Sequence, residues 1–384
     1  MTTEQYNEHA RKVFNRLEMP VLKYGLGIQV YLKDLNLNQA MGAVNDDEKM
    51  TIHASRDVNV LYPSALDPYQ LEEYFAGLVT ADENKFMALH YAILNDTRII
   101  VIPRNMTIKE PIMIRSQLSK KTKAESIIVI AEEASRATII DQSFSTEDAY
   151  YKSHVVQVYA KNGAHLTYCS LQNNSEHTYT VDVKRGKVER DATIQWHDVV
   201  LGGKVTQLHM RTILNLPGAQ STNTGVYLSQ RTQQFDISSE TVHKAKHTES
   251  VMHHRGVLGD TSRVIYRGLI QIEKDSSHCT ARQKTENLLI GDQARCDAVP
   301  KLEVKNDQVV CSHGATISHV NEDVLFYLTS RGLDEDTAQK IAIIGFLEPV
   351  IRGFPESLHQ GIREAIGLKL NLDHGTTELL ETMY

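Results

Sequence analysis

From "RIIVIP" at Arg98 to Thr316, short β-branched runs follow one another and no helix-length apolar period interrupts them. "ESIIVIA", "RATIID", "SHVVQVYA", "HLTYCSL", "TIQWHDVVL", "TQLHMRTIL" and "RVIYRGLIQI" have the length and the branched or aromatic side chains that a pleated surface accepts. Turn pairs punctuate them at Asn162-Gly163, Arg185-Gly186, Gly202-Gly203, Pro217-Gly218, Gly259-Asp260 and Gly291-Asp292. So many strands in one block predict a sandwich, a barrel or a β-solenoid. Self-similarity favours the solenoid. "VLGDTSRV" (257–264) and "LIGDQARC" (289–296) share apolar-Gly-Asp-x-x-Arg, with Gly291 following Gly259 by 32 residues. Stacked coils leave that signature, because each buries its apolar face against the next. Cys279 and Cys311 have the same spacing. A 32-residue coil therefore predicts that they stack on adjacent rungs, roughly 4.8 Å apart, with Cys296 on the opposite wall.

The flanks read differently. Residues 1–95 are expected to be mainly helix and loop: Leu71, Tyr74, Phe75, Leu78 and then Phe86, Leu89, Ile93 recur at helical spacing. Asp67-Pro68 supplies a cap and a first-turn proline. The strand block is placed at 96–317, and a C-terminal helical region at 318–384. Asn321 and Asp334 are expected N-caps, Arg331-Gly332 a helix end, and Pro355 the opening of a third helix.

Composition narrows the function. A chain of 384 residues with 41% hydrophobic and 23% charged content is that of an ordinary soluble protein. A net charge of −7 argues against a nucleic-acid surface, which needs excess Lys and Arg. No apolar run nears the roughly 18 residues of a membrane span. The polar start "MTTEQYNEHARKVF" carries no apolar leader, so no membrane association and a cytoplasmic location are expected. The four cysteines are then expected to be thiols rather than disulfides. Seventeen histidines is a high count, and seven of them (His243, His247, His253, His254, His278, His313, His319) share one segment. Most are expected to be solvated strand residues.

The chemistry motifs are chiefly negative. No P-loop, nucleophile elbow or His-Glu-x-x-His occurs. A β-solenoid can host a polysaccharide lyase or hydrolase, but no tight Asp/Glu cluster is evident along the strands. Metal chemistry remains. "CSHGATISHVNEDVLFYLTSRGL" opens with Cys311-x-His313, a thiol and an imidazole that an extended strand puts on one face. Together they suit zinc, copper(I) or iron–sulfur centres. No Cys-x-x-Cys pair accompanies them, so a self-contained site is not expected.

The pieces "RGVLG", "QKTENLLI", "DAVPKLEV", "CSHGAT" and "EDVLFYLTSRGL", in that order, resemble the SufB/SufD family of iron–sulfur cluster assembly scaffolds. "ALHYAILNDTRIIVIPRN" and "EPI" match more loosely. The resemblance implies a right-handed parallel β-helix between helical end domains, mainly β, with no enzymatic activity of its own. Pro300-Lys301-Leu302-Glu303 is followed by Val304, where SufB chains carry a cysteine, and His313-Gly314-Ala315-Thr316 has the SufD form. The likeness is therefore to SufD. Its matching histidine, His313, is implicated in cluster formation at the interface with SufB, and Cys311 belongs to the same motif; Cys296 is not part of the SufD pattern.

The resemblance further implies a scaffold that pairs with a SufB-like subunit and docks a SufC-type ATPase on its C-terminal helices. Ile341, Ile344, Leu325 and Leu328 are the expected ATPase contacts. The alternative is a self-pairing protein holding the cluster at its own interface, with Cys279, Cys296, Cys311 and His313 as candidate ligands. A transient iron–sulfur cluster and reduced flavin are the implied cofactors.

Overall fold

The computed structural model describes residues 2–19 and 35–371. The rest of the two expected helical regions, 20–34 and 372–384 with Met1, lies outside the described residues.

The N-terminal part contains helices α1 (Thr3–Arg16), α2 (Leu37–Gly42), α3 (Pro68–Tyr74) and α4 (Lys85–Ile93), with two three-residue strands, β1 (Thr51–His53) and β2 (Asn59–Leu61). Thr2 opens α1 and Asp67 opens α3, each through a capping box with a glutamine three residues on. Asn84 caps α4, accepting from the Phe86 and Met87 amides at 2.9 and 3.1 Å.

Sixteen strands then wind as a solenoid. The first half comprises β3 (Asp96–Ile102), β4 (Ile112–Leu118), β5 (Lys121–Ala131), β6 (Arg136–Ser145), β7 (Ala149–Ala160), β8 (His165–Asn173), β9 (Tyr179–Val188) and β10 (Thr193–Val200). The second half comprises β11 (Val205–Leu214), β12 (Gln220–Ser229), β13 (Gln234–His243), β14 (Glu249–Leu258), β15 (Arg263–Ile272), β16 (Cys279–Leu289), β17 (Arg295–Val304) and β18 (Val309–His319). Even-numbered strands from β4 stack in parallel in one nine-stranded sheet that begins at β1, and odd-numbered strands in a second that begins at β2. Two short antiparallel strands therefore close the first coil. The fold is mainly β, a parallel β-solenoid with helices at both termini, as the strand texture predicts.

The coil is not a constant 32 residues. It runs from 26 (Tyr179 to Val205) to 32 (Arg263 to Arg295), because turns and strands both vary in length, the intervening strand having 8 residues in the shorter coil and 11 in the longer. The two glycine-aspartate turns do stack, with Gly291 against the Asp260 backbone. Arg185-Gly186, expected as a turn, lies inside β9. Gly186 faces inward there, leaving room for Ile194 and the indole of Trp196.

Inward side chains of the two sheets form the main core, including Ile127, Val129, Val156, Val158, Ile139, Leu166, Ile194 and Trp196. Its burial supplies the driving force for stacking. The helices pack on the outside rather than across the ends. α1 and α4 cover the outer face of the odd sheet through Phe14, Phe86, Leu89 and Tyr91 against Ile128, Ile130 and Val155. After β18 come α5 (Glu322–Ser330), α6 (Glu335–Ile351) and α7 (Glu356–Lys369). Ile344, Leu347, Ile351 and Ile362 cover Val199, Val226, Val257 and Leu288 on the outer face of the even sheet. Arg255 pins α6 there, donating to the Phe346 carbonyl and to Glu286.

The interior also holds what the sequence hides. Lys123 and Lys152 flank Glu125 at 2.8 and 3.6 Å, and Lys184 bonds Asp198 and Ser170 while lying 3.7 Å from Asp182. His154 is 3.5 Å from Asp141, which accepts from the Tyr168 hydroxyl at 2.7 Å. All are buried. A carboxylate cluster thus does exist on the strands, contrary to expectation, assembled by stacking register (Asp141, Ser170 and Asp198 are successive partners) rather than by adjacency. It is sealed inside the solenoid, with lysines to balance it. Burial raises the Asp182 pKa above its ordinary value although Lys184 works against that.

Candidate functional site

The two ends of the solenoid differ. At the start, the outermost strands are three residues long. At the finish they are β17 and β18, ten and eleven residues long, and neither has a further strand partner among the described residues. A full-length bare edge is a template for another chain. Val310 is 62% exposed and Ile317 46%, so this end also presents apolar surface.

Cys311 and His313 lie on β18, two residues apart and on the same face. That face is the inner one, since Cys311 packs with Cys279, Ala281, Met252 and Ile270. With no later coil above it among the described residues, the inner face of β18 opens to solvent: Cys311 is partly buried and His313 exposed. Burial and the neighbouring Cys279 raise the Cys311 thiol pKa. Pairing with a cation or a metal would reverse that shift.

The other candidate ligands are placed differently. Cys279 is not the rung partner of Cys311; the register pairs Cys279 with Val309 and Cys311 with Ala281, because this coil is 30 residues long. The two thiols are diagonal neighbours on one face. Cys279 is buried and bound to local groups: Thr248 Oγ1 at 3.1 Å and the Ala245 and Ser276 carbonyls at 3.3 Å. Cys296 is on β17, the opposite wall, packed against the main core, with its pKa pushed up to about 12 by burial and by Asp297. The structure thus brings Cys311, His313 and Cys279 to one face and leaves Cys296 across the interior. Among the described residues no group of three or more His, Cys, Asp or Glu side chains is arranged to hold a metal.

Of the seven clustered histidines, His243 and His254 are buried and His253 half-buried, whereas His247, His278, His313 and His319 are exposed. His243 fills a corner between Thr248 and Ser250 at 2.7 and 2.9 Å. Burial lowers the pKa of His243 and of His254 to about 4.

The expected partner contacts divide. Ile341 and Ile344 are buried against the solenoid and serve the fold, because α6 turns that face inward. Leu325 and Leu328 are half-buried on α5. Sequence reasoning missed Phe326 and Tyr327, which are 74% and 57% exposed. The signal was present: "VLFYL" is five consecutive apolar residues in a nine-residue helix, and one helix face cannot bury them all. No helix among the described residues is long and apolar enough to cross a membrane.

Residues 113–346, from β4 to α6, match the family described as SUF system FeS cluster assembly, SufBD core domain. An iron-sulfur cluster assembly SufBD family protein of Staphylococcus epidermidis is 28% identical over 289 residues, 74% of this chain and 62% of that protein. Its counterpart in Staphylococcus saprophyticus is 26% identical over 364 residues, covering 92% of this chain and 76% of the relative. One in Staphylococcus aureus is 26% identical over 360 residues, with the same coverage. The chain spans 62% of the length of the Staphylococcus epidermidis relative. With the core-domain match extending over most of the solenoid, the chain belongs to the SufBD family of iron–sulfur cluster assembly proteins.

Proposed function

We propose that this chain is a SufD-like, non-enzymatic scaffold whose open solenoid end pairs with a SufB-like subunit, building a transient iron–sulfur cluster between them in the cytoplasm. The observation that carries the reading is the bare end itself: Cys311 and His313 sit on the inner face of an eleven-residue edge strand with no strand stacked above them among the described residues. One thiolate and one imidazole are half of a four-coordinate sphere, so the remaining ligands come from the chain that covers the end. A SufC-type ATPase docks on α5 through Phe326 and Tyr327, with Leu325 and Leu328 behind them. In this reading residues 1–95 brace the solenoid, 96–317 form the scaffold, and 318–384 carry the ATPase contact.

The test is anaerobic reconstitution of the chain alone and with SufB-type and SufC-type partners, wild type beside His313→Ala. The expected result is no stable cluster on the isolated chain, cluster formation in the wild-type complex, and an intact but cluster-deficient His313→Ala complex. A stoichiometric cluster on the isolated chain, sedimenting as a dimer, would instead establish the self-pairing alternative. Normal cluster formation by the His313→Ala complex would remove His313 from the mechanism.

A further inference from the structure

Directly beneath His313 the solenoid holds a buried amide with nothing to bind. Gln283, on β16, is the register partner of His313, so the two side chains lie side by side on the inner face, roughly one strand spacing (4.8 Å) apart. Gln283 is 3% exposed, yet neither its amide oxygen nor its amide nitrogen has a hydrogen-bond partner. A buried amide of this kind is ordinarily satisfied.

The surroundings explain the direction in which it looks. On the rung below, its register partner is Met252, which offers only a thioether. Across the interior it lies against Gly268 of β15, where any Cβ would overlap the amide. Gly268 is therefore small for a reason: it makes the cradle in which the Gln283 amide lies flat. With a sulfur below and backbone across, the side left for a polar partner is the rung above, which His313 occupies.

We propose that Gln283 is the positioning residue of His313. Its amide oxygen accepts one imidazole N–H, which sets the tautomer and turns the other ring nitrogen toward the open end as the ligand. Metal-binding histidines ordinarily donate their second N–H to such a carbonyl or carboxylate, and losing that partner typically costs 10–100-fold in metal affinity or activity. The hydrogen bond is not made in this structure, where the amide is unpartnered; it forms when the exposed His313 ring turns onto the amide, and its consequence for the cluster rests on the function proposed above.

The experiment uses the full chain, labelled with ¹⁵N at its histidines, with His313→Ala to assign the signals. In wild type, the His313 nitrogens should report one dominant tautomer. Gln283→Met removes the acceptor but keeps the volume, and should return His313 to the mixed tautomers of a solvated imidazole. Gln283→Glu restores an acceptor and should restore the single tautomer. Gln283→Met puts an apolar side chain of similar size in place of a buried amide unpartnered in this structure, so a folded variant is expected. In the assembled complex, cluster formation should fall about tenfold or more in Gln283→Met and recover in Gln283→Glu. An unchanged His313 tautomer in folded Gln283→Met overturns the proposal whatever the cluster assay gives. A tautomer that obeys Gln283 while His313→Ala builds clusters normally leaves the positioning role standing and defeats the proposed function instead.

Discussion

Replacing Lys184 by methionine keeps the length of a 1% exposed side chain and removes its charge from the solenoid interior. Lys184 is hydrogen-bonded to Asp198 and Ser170 and lies 3.7 Å from Asp182, so two buried carboxylates would lose their nearest cation. His154, 3.5 Å from Asp141, still favours the ionised form of Asp182. Breaking a buried ion pair by removing one partner costs about 3–5 kcal/mol, most of it the charge left behind. The loss must depend on pH. The folded pKa of Asp182 is already raised above its ordinary value. A carboxylate raised in the folded state contributes most below its unfolded pKa and loses that contribution as pH climbs through the folded one. Without Lys184 the folded value rises further, so Lys184→Met should lose most at pH 7–8 and progressively less toward pH 5. Urea denaturation of both proteins across that range, with m-values compared to verify a common transition, gives the difference directly. Adding Asp198→Asn should recover part of the loss, since neighbours in one network are coupled. A deficit under about 1 kcal/mol at pH 7, or one that does not change with pH, would refute the electrostatic account.

Gly186→Ala places a Cβ 3.0 Å from Ile194 Cδ1 and 3.2 Å from Trp196 Cζ2, and overpacking of this kind costs about 1–3 kcal/mol. Trp196 is the sole tryptophan, so its emission should shift in the folded variant. Asn84→Ala removes the acceptor that satisfies two amides of α4 and should cost about 1 kcal/mol in urea denaturation. Phe326→Asp and Tyr327→Asp should alter stability by no more than about 0.5 kcal/mol while abolishing capture of a SufC-type ATPase, because neither side chain is buried. Ile344→Ala should instead cost about 2–5 kcal/mol, the range for truncating a buried aliphatic side chain.

The fold was legible because its signals are local. Strand length, β-branching and turn glycines are properties of neighbouring residues, and Asn321, Asp334 and Asp67 cap helices where their side-chain chemistry places them. Register was not legible. A difference of two residues in one turn moves Cys311 from beside Cys279 to beside Ala281, and nothing in the local pattern announces it. The charged interior was invisible for a similar reason: Glu125, Asp141, Asp182 and Asp198 are far apart in sequence and meet only when the coils stack. Cys311-x-His313 was readable as a pair on one strand face, but its exposure comes from the lack of a later coil among the described residues. Ile341 and Ile344 have the spacing of a helix face, and spacing alone does not say whether that face meets a partner or the chain's own sheet.

The contrast between the three-residue strands at one end and the ten- and eleven-residue strands at the other has a consequence for stoichiometry. A stacked-coil protein with two adhesive ends is a bifunctional monomer, and head-to-tail joining of such monomers has no natural stopping point. The described residues of this chain offer one long open edge, not two. Two molecules that meet by their open ends consume both, and the blunt termini left outside offer too short a ladder to recruit a third. In the assembly proposed above, growth would therefore end at a pair, with His313 and Cys311 at its junction.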